Sequence, residues 1–217
     1  MGLGRVVKRL LAGVGIDVQR GPSAVMIRRV GRHVVPTAQW RDAQGLKLNL
    51  GCGGKPYAGY VNVDVQATPA VDLVSEITAL PMLPDGCAQE ILLEAVFEHL
   101  YRYERPDALA EWRRLLAPGG TLTVRWIPDW DVICDLYQRR VPGLVGDVFD
   151  LEHVYRYSHG LPTPFNAPHQ LHKDLFTKDS VRAEFEAAGF VVERLDNTCF
   201  ADEPYALNID VVARRPA

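Results

Sequence analysis

Short apolar segments that are followed by glycine or an acidic residue alternate with helical segments along most of this chain. Residues 46–50 and 60–65 have the alternating or β-branched pattern of strands. The first is followed by Gly51-Cys52-Gly53-Gly54, and the second carries Asp64 near its end. Strands that alternate with helices predict a parallel, doubly wound α/β sheet, in which ligands bind beyond the carboxyl ends of the strands. We therefore expect the chemistry of this protein directly after its strands.

The strands and helices predicted after residue 40 form a single domain at residues 41–217. A chain of 217 residues is the length of one ordinary domain. Helices are predicted at residues 107–116, with Asp107 as the N-cap, and at residues 177–188, closed by Gly189. Residues from about 140 to 170 are rich in Pro, Gly, His and Tyr and have weak periodicity, which predicts an insertion or lid. Further strands are predicted at residues 71–74, 91–96, 121–127, 190–195 and 207–213.

Residues 1–40 are interpreted as a basic arm outside this domain. Residues 1–33 carry a formal net charge of +6, whereas the rest of the chain carries −9, so we expect an anionic partner for the arm. Apolar residues between Leu3 and Val14 recur at helical spacing and predict an amphipathic helix followed by looser chain. Two interpretations stay open. The apolar stripe packs on its own domain or on a second copy in a homodimer, which is the usual case, or it lies on an anionic membrane surface.

The composition excludes several classes of protein. The chain is 47% hydrophobic and 24% charged, the balance of a folded globular protein, and it has no run of 18 apolar residues that could span a bilayer. Its four scattered cysteines form no Cys-x-x-Cys pair, so we expect neither a zinc knot nor a disulfide framework, but reduced thiols in the cytoplasm. The acidic body is a poor nucleic-acid binder, because phosphate neutralisation needs an excess of Lys and Arg.

The glycines after the first strand and the acid at the end of the second favour a nucleoside ligand. Glycine lets a ligand approach the backbone closely, and the carboxylate of Asp64 can accept hydrogen bonds from two ribose hydroxyls. A dinucleotide site is disfavoured, because Pro56 stands where its third glycine belongs and Asp64 follows Gly51 by 13 residues instead of about 20. About ten residues join the two strands, close to the minimum for a helical crossover. A nucleoside without phosphates fits better.

An ordered set of motifs resembles the class I S-adenosylmethionine-dependent methyltransferases, closest to their type 11-like branch. Residues 48–53 (LNLGCG) and 60–64 (YVNVD) resemble the first two motifs of that family. Residues 72–81, 91–100, 115–122 and 187–190 match later motifs in the correct order. The resemblance covers about residues 46–195. It implies a Rossmann-like sheet of seven strands with an antiparallel last strand and helices on both faces, and S-adenosylmethionine as the cofactor.

The resemblance also implies roles for individual residues. The loop after the first strand would line the methionine and ribose part of the cofactor, Asp64 would hold the ribose hydroxyls, and Glu76 would face the adenine amino group. Glu94 and Ala95 would lie beside the sulfonium, although this pair replaces the residues usual in the family, as Ala88-Gln89 does upstream. The cofactor-binding residues implied in this way are Gly51, Cys52, Gly53, Asp64, Glu76, Ile77 and Glu94.

The same branch is linked to the tailoring of glycans and natural products, which implies a small-molecule or sugar hydroxyl as the methyl acceptor. A hydroxyl acceptor needs a general base, and Asp129 and His169 are the candidates. His169 and His172 could bind a metal only if an acid joined them, so no metal is expected, and His99 is interpreted as structural. Tyr155, Tyr157 and Phe165 could line the acceptor pocket, in the segment that also holds His153 and His159.

Two other functions stay open at this point. A protein that binds the cofactor without catalysis is compatible with the departures at Gln89 and Ala95. A nicotinamide-dependent oxidoreductase is disfavoured by Pro56 and by the short connection between the first two strands. No nucleic-acid substrate is expected, because no Asn-Pro-Pro-Tyr or Asp-Pro-Pro-Tyr sequence follows the fourth strand.

Overall fold

The computed structural model describes residues 40–144, 146–160 and 170–217 in full, and the backbone of residues 16–20 and 25–29. Within the arm, β1 (Ile16–Arg20) and β2 (Val25–Arg29) form an antiparallel pair in which Ile16 lies opposite Arg29. The expectation of looser chain was therefore wrong for these ten residues. The amphipathic helix predicted between Leu3 and Val14 lies outside the described residues.

Seven strands form the main sheet, and their order places the predicted ligand-binding segments side by side. They are β3 (Leu46–Leu50), β4 (Val61–Asp64), β5 (Leu73–Val74), β6 (Ala88–Glu94), β7 (Leu116–Pro128), β8 (Val191–Thr198) and β9 (Asn208–Arg214). Their spatial order is β5-β4-β3-β6-β7-β9-β8. The first five pair in parallel, and β9 runs antiparallel to both β7 and β8. The predicted Rossmann-like sheet of seven strands with an antiparallel last strand is confirmed.

Four α-helices lie among the described residues: α1 (Arg105–Leu115), α2 (Trp130–Arg139), α3 (Leu151–His159) and α4 (Lys178–Ala187). The N-cap predicted at Asp107 was wrong, because α1 begins two residues earlier, after Glu104, with proline in its first turn. Asp107 lies in that first turn, where the helix dipole also favours an acidic side chain. None of the four is long and apolar enough to cross a membrane.

Two of these helices were not predicted from the sequence. Asp129 caps α2, and α3 lies inside the segment that was expected to be an irregular lid. Both helices are short, and their apolar residues pack into a small cluster of their own rather than into the main core. A helix of nine or ten residues buries only two or three side chains, so its periodicity is hard to detect among the surrounding Pro, Gly and Tyr residues. The buried members of this cluster are Ile133, Leu136, Phe149, Tyr157 and Leu207.

No helix crosses between β3 and β4, as the short connection in the sequence indicated. Residues 51–60 consist of turns, and β3 is buried on both faces: Leu48 and Leu50 point to one side and Asn49 to the other. Such two-sided burial is characteristic of parallel sheets. It also means that the polar Asn49 needs hydrogen-bond partners inside the protein.

A buried arginine joins α1 to α4 and to the segment before it. The guanidinium of Arg105 donates to Glu184 at 2.7 Å and to Asp174 at 2.9 Å, and it lies 4.9 Å from the ring centre of Phe176. The side chain of Arg105 is only 2% exposed, whereas Arg102, which also binds Asp174, is 79% exposed. The two guanidinium groups lower the pKa of Asp174 to about 2, against the opposing effect of partial burial. The Arg105 charge therefore stabilises two acidic groups.

We expect Arg105→Ala to lower the free energy of unfolding by about 3–5 kcal/mol, because it leaves the two carboxylates without their buried partner. Arg102→Ala removes an exposed partner of the same Asp174 and should cost about 0–1 kcal/mol. Urea unfolding of both variants at neutral pH measures the difference. Equal losses in the two variants would show that burial of the Arg105 ion pairs is unimportant.

Candidate functional site

The glycine loop after β3 lies directly against the ends of β4 and β6. Gly51 donates its N–H to the carbonyl of Val63 at 2.8 Å and has φ +73°, a backbone conformation that favours glycine. A Cβ at position 51 would lie 2.6 Å from Cγ2 of Val96, so only glycine fits without displacement. The predicted loop is therefore fixed both by its backbone conformation and by close packing.

Asp64 at the end of β4 is bound to this loop. One carboxylate oxygen accepts a hydrogen bond from the N–H of Gly53 at 2.9 Å, and the other accepts from the N–H of Gln66 at 2.8 Å. A carboxylate has about four acceptor sites, so the half-buried Asp64 keeps capacity for two ribose hydroxyls. The N–H of Ser75 donates to the carbonyl of Asp64 at 2.9 Å, which brings Glu76 to the same edge of the sheet. The structure thus brings the predicted loop and the predicted acid together.

The side-chain amides of two buried asparagines, Asn49 and Asn62, hold the loop that connects β3 to β4 in place of a crossover helix. Asn49 donates to the side-chain oxygen of Asn62 at 3.0 Å and to the carbonyl of Lys55 at 3.2 Å. Asn62 in turn accepts from the N–H of Tyr57 at 2.8 Å and donates to Asp72 at 2.9 Å. Both asparagines are at least 95% buried. This asparagine network was not predicted, although its signal is present in the sequence as one polar residue in each of two buried apolar strands.

Two of the predicted cofactor residues, Cys52 and Ile77, have side chains that are buried in the protein interior. Cys52 is buried, and burial together with the nearby Asp64 raises the pKa of its thiol to about 11, so the thiol is protonated and unreactive at neutral pH. Ile77 is also buried, and its carbonyl accepts a hydrogen bond from Nε1 of Trp112 in α1 at 2.9 Å. Any contact of these two residues with a ligand would therefore come mainly from their backbone.

Glu94 at the end of β6 lies in a cluster of charged side chains. It accepts hydrogen bonds from the hydroxyl of Tyr57 at 2.9 Å and from the guanidinium of Arg125 at 3.0 Å. Arg125 also donates to Asp210 of β9 at 3.1 Å. The hydrogen bond to Glu94 raises the pKa of the Tyr57 hydroxyl. Tyr57, Arg125 and Asp210 were not predicted, because they approach Glu94 from three other parts of the chain.

Backbone strain is concentrated at the same place. Ala95 and Trp126 both have positive φ, +51° and +65°, and the N–H of Ala95 donates to the carbonyl of Arg125 at 3.0 Å. The register of β7 against β9 shifts between Val124 and Ile127, which is a β-bulge. Non-glycine residues in this conformation cost about 1–3 kcal/mol each and cluster at functional sites. The ends of β6 and β7 therefore have the backbone features of a ligand-binding edge.

Of the two candidate general bases, Asp129 lies among the described residues and His169 does not. Asp129 is 1% exposed and caps α2: one carboxylate oxygen accepts from the N–H of Asp131 at 3.1 Å, and the other accepts from Nδ2 of Asn197 at 2.8 Å. The structure thus gives Asp129 a positioning role, and its use as a base stays a prediction. His169 and the predicted pocket residue Phe165 lie outside the described residues.

A cavity of about 530 Å³ lies beside α3. Tyr155 was predicted to line an acceptor pocket and does line this cavity, with its ring stacked on His159 at 4.6 Å between ring centres. The hydroxyl of Tyr157 instead donates to Glu203 at 2.8 Å, and His153 completes the capping box of α3. The lining of the cavity is mainly apolar with some polar and charged side chains, and it consists of Trp130, Leu151, Val154, Tyr155, Ser158, His159, His172, Lys173, Asp174 and Leu175.

Comparison with known proteins agrees with this geometry. Residues 48–124, which run from β3 into β7 and contain Gly51, Asp64 and Glu94, match a family model described as a methyltransferase domain. No curated protein matches the chain in a sequence search. The match covers the part of the chain that builds the glycine loop, the acid and the end of β6.

Solved methyltransferase structures share the fold at low sequence identity. An S-adenosylmethionine-dependent methyltransferase from Methanosarcina mazei is 13% identical, with a TM-score of 0.54 over 84% of this chain and 98% of its own. One from Mesorhizobium loti is 16% identical, with a TM-score of 0.51 over 82% and 94%. A 1,6-didemethyltoxoflavin-N1-methyltransferase from Burkholderia thailandensis, solved with S-adenosylhomocysteine, is 15% identical, with a TM-score of 0.52 over 83% and 76%. The resemblance to class I S-adenosylmethionine-dependent methyltransferases is confirmed by the family model over residues 48–124, and the solved structures share the fold.

We expect Gly51→Ala to weaken the binding of S-adenosylhomocysteine by about 5- to 150-fold, the effect of about 1–3 kcal/mol of overpacking, because the new Cβ would displace the loop from Val96. Gly54→Ala is the matched control, since a Cβ there meets nothing within 4 Å and φ is not positive. Isothermal titration calorimetry measures both affinities. Equal affinities in the two variants would contradict a tightly fixed loop.

Asn62→Ala should also weaken the binding of S-adenosylhomocysteine, because Asp72 and the N–H of Tyr57 lose a buried partner at a cost of about 1–3 kcal/mol. Asn197→Ala removes a comparable amide-to-carboxylate bond at Asp129, away from the loop, and should lower the melting temperature without changing the affinity. Calorimetry and thermal unfolding of both variants separate the two effects. An unchanged affinity in Asn62→Ala would show that the asparagine network does not support the ligand site.

Proposed function

We propose that this protein transfers a methyl group from S-adenosylmethionine to a hydroxyl group of a small molecule or a sugar. The observation that carries the proposal is the contact between Gly53 and Asp64 in a loop without a crossover helix. This arrangement offers a carboxylate to ribose hydroxyls and open space at the glycines, but no helix N-terminus for a pyrophosphate. Such a site suits a nucleoside that carries a sulfonium better than a nicotinamide dinucleotide.

The residues of the site fit this cofactor. A Cβ at Gly53 would meet nothing within 4 Å, so the backbone there is open to a ligand. At the other end of the site, Glu94 and Asp210 share the single cation Arg125, which leaves one net negative charge near the expected position of the sulfonium. When bound, the cofactor supplies an electrophilic methyl group. The protein then has to position the acceptor in line with it and to exclude water.

The cavity beside α3 supports a small acceptor. Its volume of about 530 Å³ is within the usual range of small-molecule sites, and a mainly apolar lining with a few polar side chains is typical of such sites. The acidic body of the chain argues against a nucleic acid as the substrate. Asp129 is buried and both of its carboxylate oxygens accept hydrogen bonds at the N-terminus of α2. The proposal therefore gives the general base to His169, the other candidate from the sequence, and to Asp129 the role of fixing α2.

A transfer assay with labelled S-adenosylmethionine tests the proposal. The acceptor panel pairs each hydroxyl compound, sugar or natural product, with the analogue that carries an amine at the same position, and it includes RNA and protein. We expect label in a hydroxyl compound but not in its amine analogue. Label found only in amines, RNA or protein would contradict the proposal, as would tight binding of S-adenosylhomocysteine with no transfer to any acceptor.

We expect His169→Asn to lower kcat by about 10²- to 10⁴-fold, the usual contribution of a general base, and to leave the affinity for S-adenosylhomocysteine unchanged. The pH profile of kcat should lose the limb that reports deprotonation of a histidine. Asp129→Asn is the control, because asparagine is an equally good N-cap, and it should keep most of the activity. A large loss of kcat in Asp129→Asn alone would assign the base to Asp129 instead.

A further inference from the structure

Glu98, His99 and His172 meet just beyond the end of β6. Glu98 and His99 lie on a single 3₁₀ turn (Phe97–His99), and the backbone N–H of Lys173 donates to the carbonyl of Glu98 at 2.8 Å, which brings His172 to this turn. The rings of the two histidines lie 5.2 Å apart in an edge-on arrangement. One potential ligand atom from each of the three residues lies within 4.8 Å of the other two.

The carboxyl group of Glu98 has an unsatisfied oxygen. Glu98 is 2% exposed, and its Oε2 makes no hydrogen bond within the described part of the chain. A buried carboxylate without compensation is costly, so a cation at this position would relieve a destabilising feature of the fold. The unpaired Oε2 of Glu98 distinguishes this cluster from an ordinary group of polar residues.

Both histidines are oriented as metal ligands usually are. Nδ1 of His172 lies 2.7 Å from the carbonyl of Tyr157, and Nδ1 of His99 lies 3.3 Å from the carbonyl of Leu171. A carbonyl only accepts, so we assign the ring proton to Nδ1 in each case, and Nε2 becomes the coordinating nitrogen. Such a bond from the other ring nitrogen to a backbone carbonyl fixes the tautomer and orientation of metal-binding histidines.

We propose that Glu98, His99 and His172 bind one divalent transition metal ion, with Zn²⁺ the ion that suits these donors best. Two imidazole nitrogens and one carboxylate oxygen are a known zinc ligand set, and they leave a fourth position open. Nε2 of His99 lies 4.0 Å from Oε1 of Glu98, and the ligand atoms of the three residues lie within 4.8 Å of one another. Tetrahedral coordination places ligand atoms about 3.3 Å apart, so these distances must shorten by up to about 1.5 Å when the ion binds. His172 also lines the cavity beside α3.

This site differs from the expectation drawn from the sequence. The sequence indicated that His169 and His172 could bind a metal only if an acid joined them, and none was evident there. In the structure the acid is Glu98, and its partner histidine is the adjacent His99. Metal binding here does not depend on the proposed methyl transfer, and either can fail without the other.

Metal binding is tested on the full chain without a histidine tag. The protein is stripped with EDTA and titrated with Zn²⁺ in the presence of a competing chelator, and X-ray absorption reports the ligand shell. We expect one Zn²⁺ per chain, bound by two imidazoles and oxygen at about 2.0–2.1 Å. Glu98→Gln and His172→Asn should each weaken binding at least tenfold. Glu203→Gln is the matched control, because Glu203 also has a buried unpaired oxygen but is not part of the histidine cluster, and it should bind like the wild type.

The proposal would be overturned if the protein did not bind one Zn²⁺ per chain, or if X-ray absorption showed sulfur ligands around the ion. Equal affinities of His172→Asn and Glu203→Gln for Zn²⁺ would also overturn it. Calorimetry with S-adenosylhomocysteine shows whether each variant has kept its fold. If a variant does not fold, the stoichiometry and the ligand shell of the wild-type protein decide alone. A wild-type shell of two imidazoles supports the site, and a shell of oxygen atoms only contradicts it.

Discussion

The hydrogen bonds of Asn49 and Asn62 hold the short connection between β3 and β4, and the cofactor site depends on them. A connection of about ten residues has no room for a full helix, so its backbone groups need partners from elsewhere. The two buried amides supply these partners by binding each other, the loop backbone and Asp72. The loop that carries Gly51 and Gly53 is therefore positioned by side chains from the sheet beneath it.

This constraint also supports the ligand that we propose for the site. Without a crossover helix there is no helix N-terminus to bind phosphates, whereas the end of β4 still presents Asp64 next to the glycines. Further along the same edge, Ala95 and Trp126 hold strained conformations while Glu94, Arg125 and Asp210 share charge. These strained conformations are maintained because the pairing of β6, β7 and β9 fixes the backbone on both sides of the two residues. A nucleoside with a cationic reacting end fits both parts of this edge.

The features that the sequence could predict are those encoded by neighbouring residues. The strands, the Gly51 loop and the acid at Asp64 each follow from a local pattern, and their order along the chain identified the fold. The features that it could not predict depend on distant residues. Asn49 meets Asn62 because β3 and β4 align in parallel, and Arg125 meets Glu94 because the two residues lie opposite each other where β6 pairs with β7. Likewise, Glu98 becomes a partner for His172 only through the contact of Lys173 with the 3₁₀ turn.

A crystal structure of the protein with S-adenosylhomocysteine is the most direct test of this site. We expect both ribose hydroxyls within about 3.2 Å of the Asp64 carboxylate, and the homocysteine chain over the backbone of Gly51 and Gly53. The sulfur should lie toward Glu94 and Ala95, at the strained ends of β6 and β7. A ligand bound away from Asp64, or a new helix formed between β3 and β4, would contradict a cofactor site built on the asparagine-supported loop.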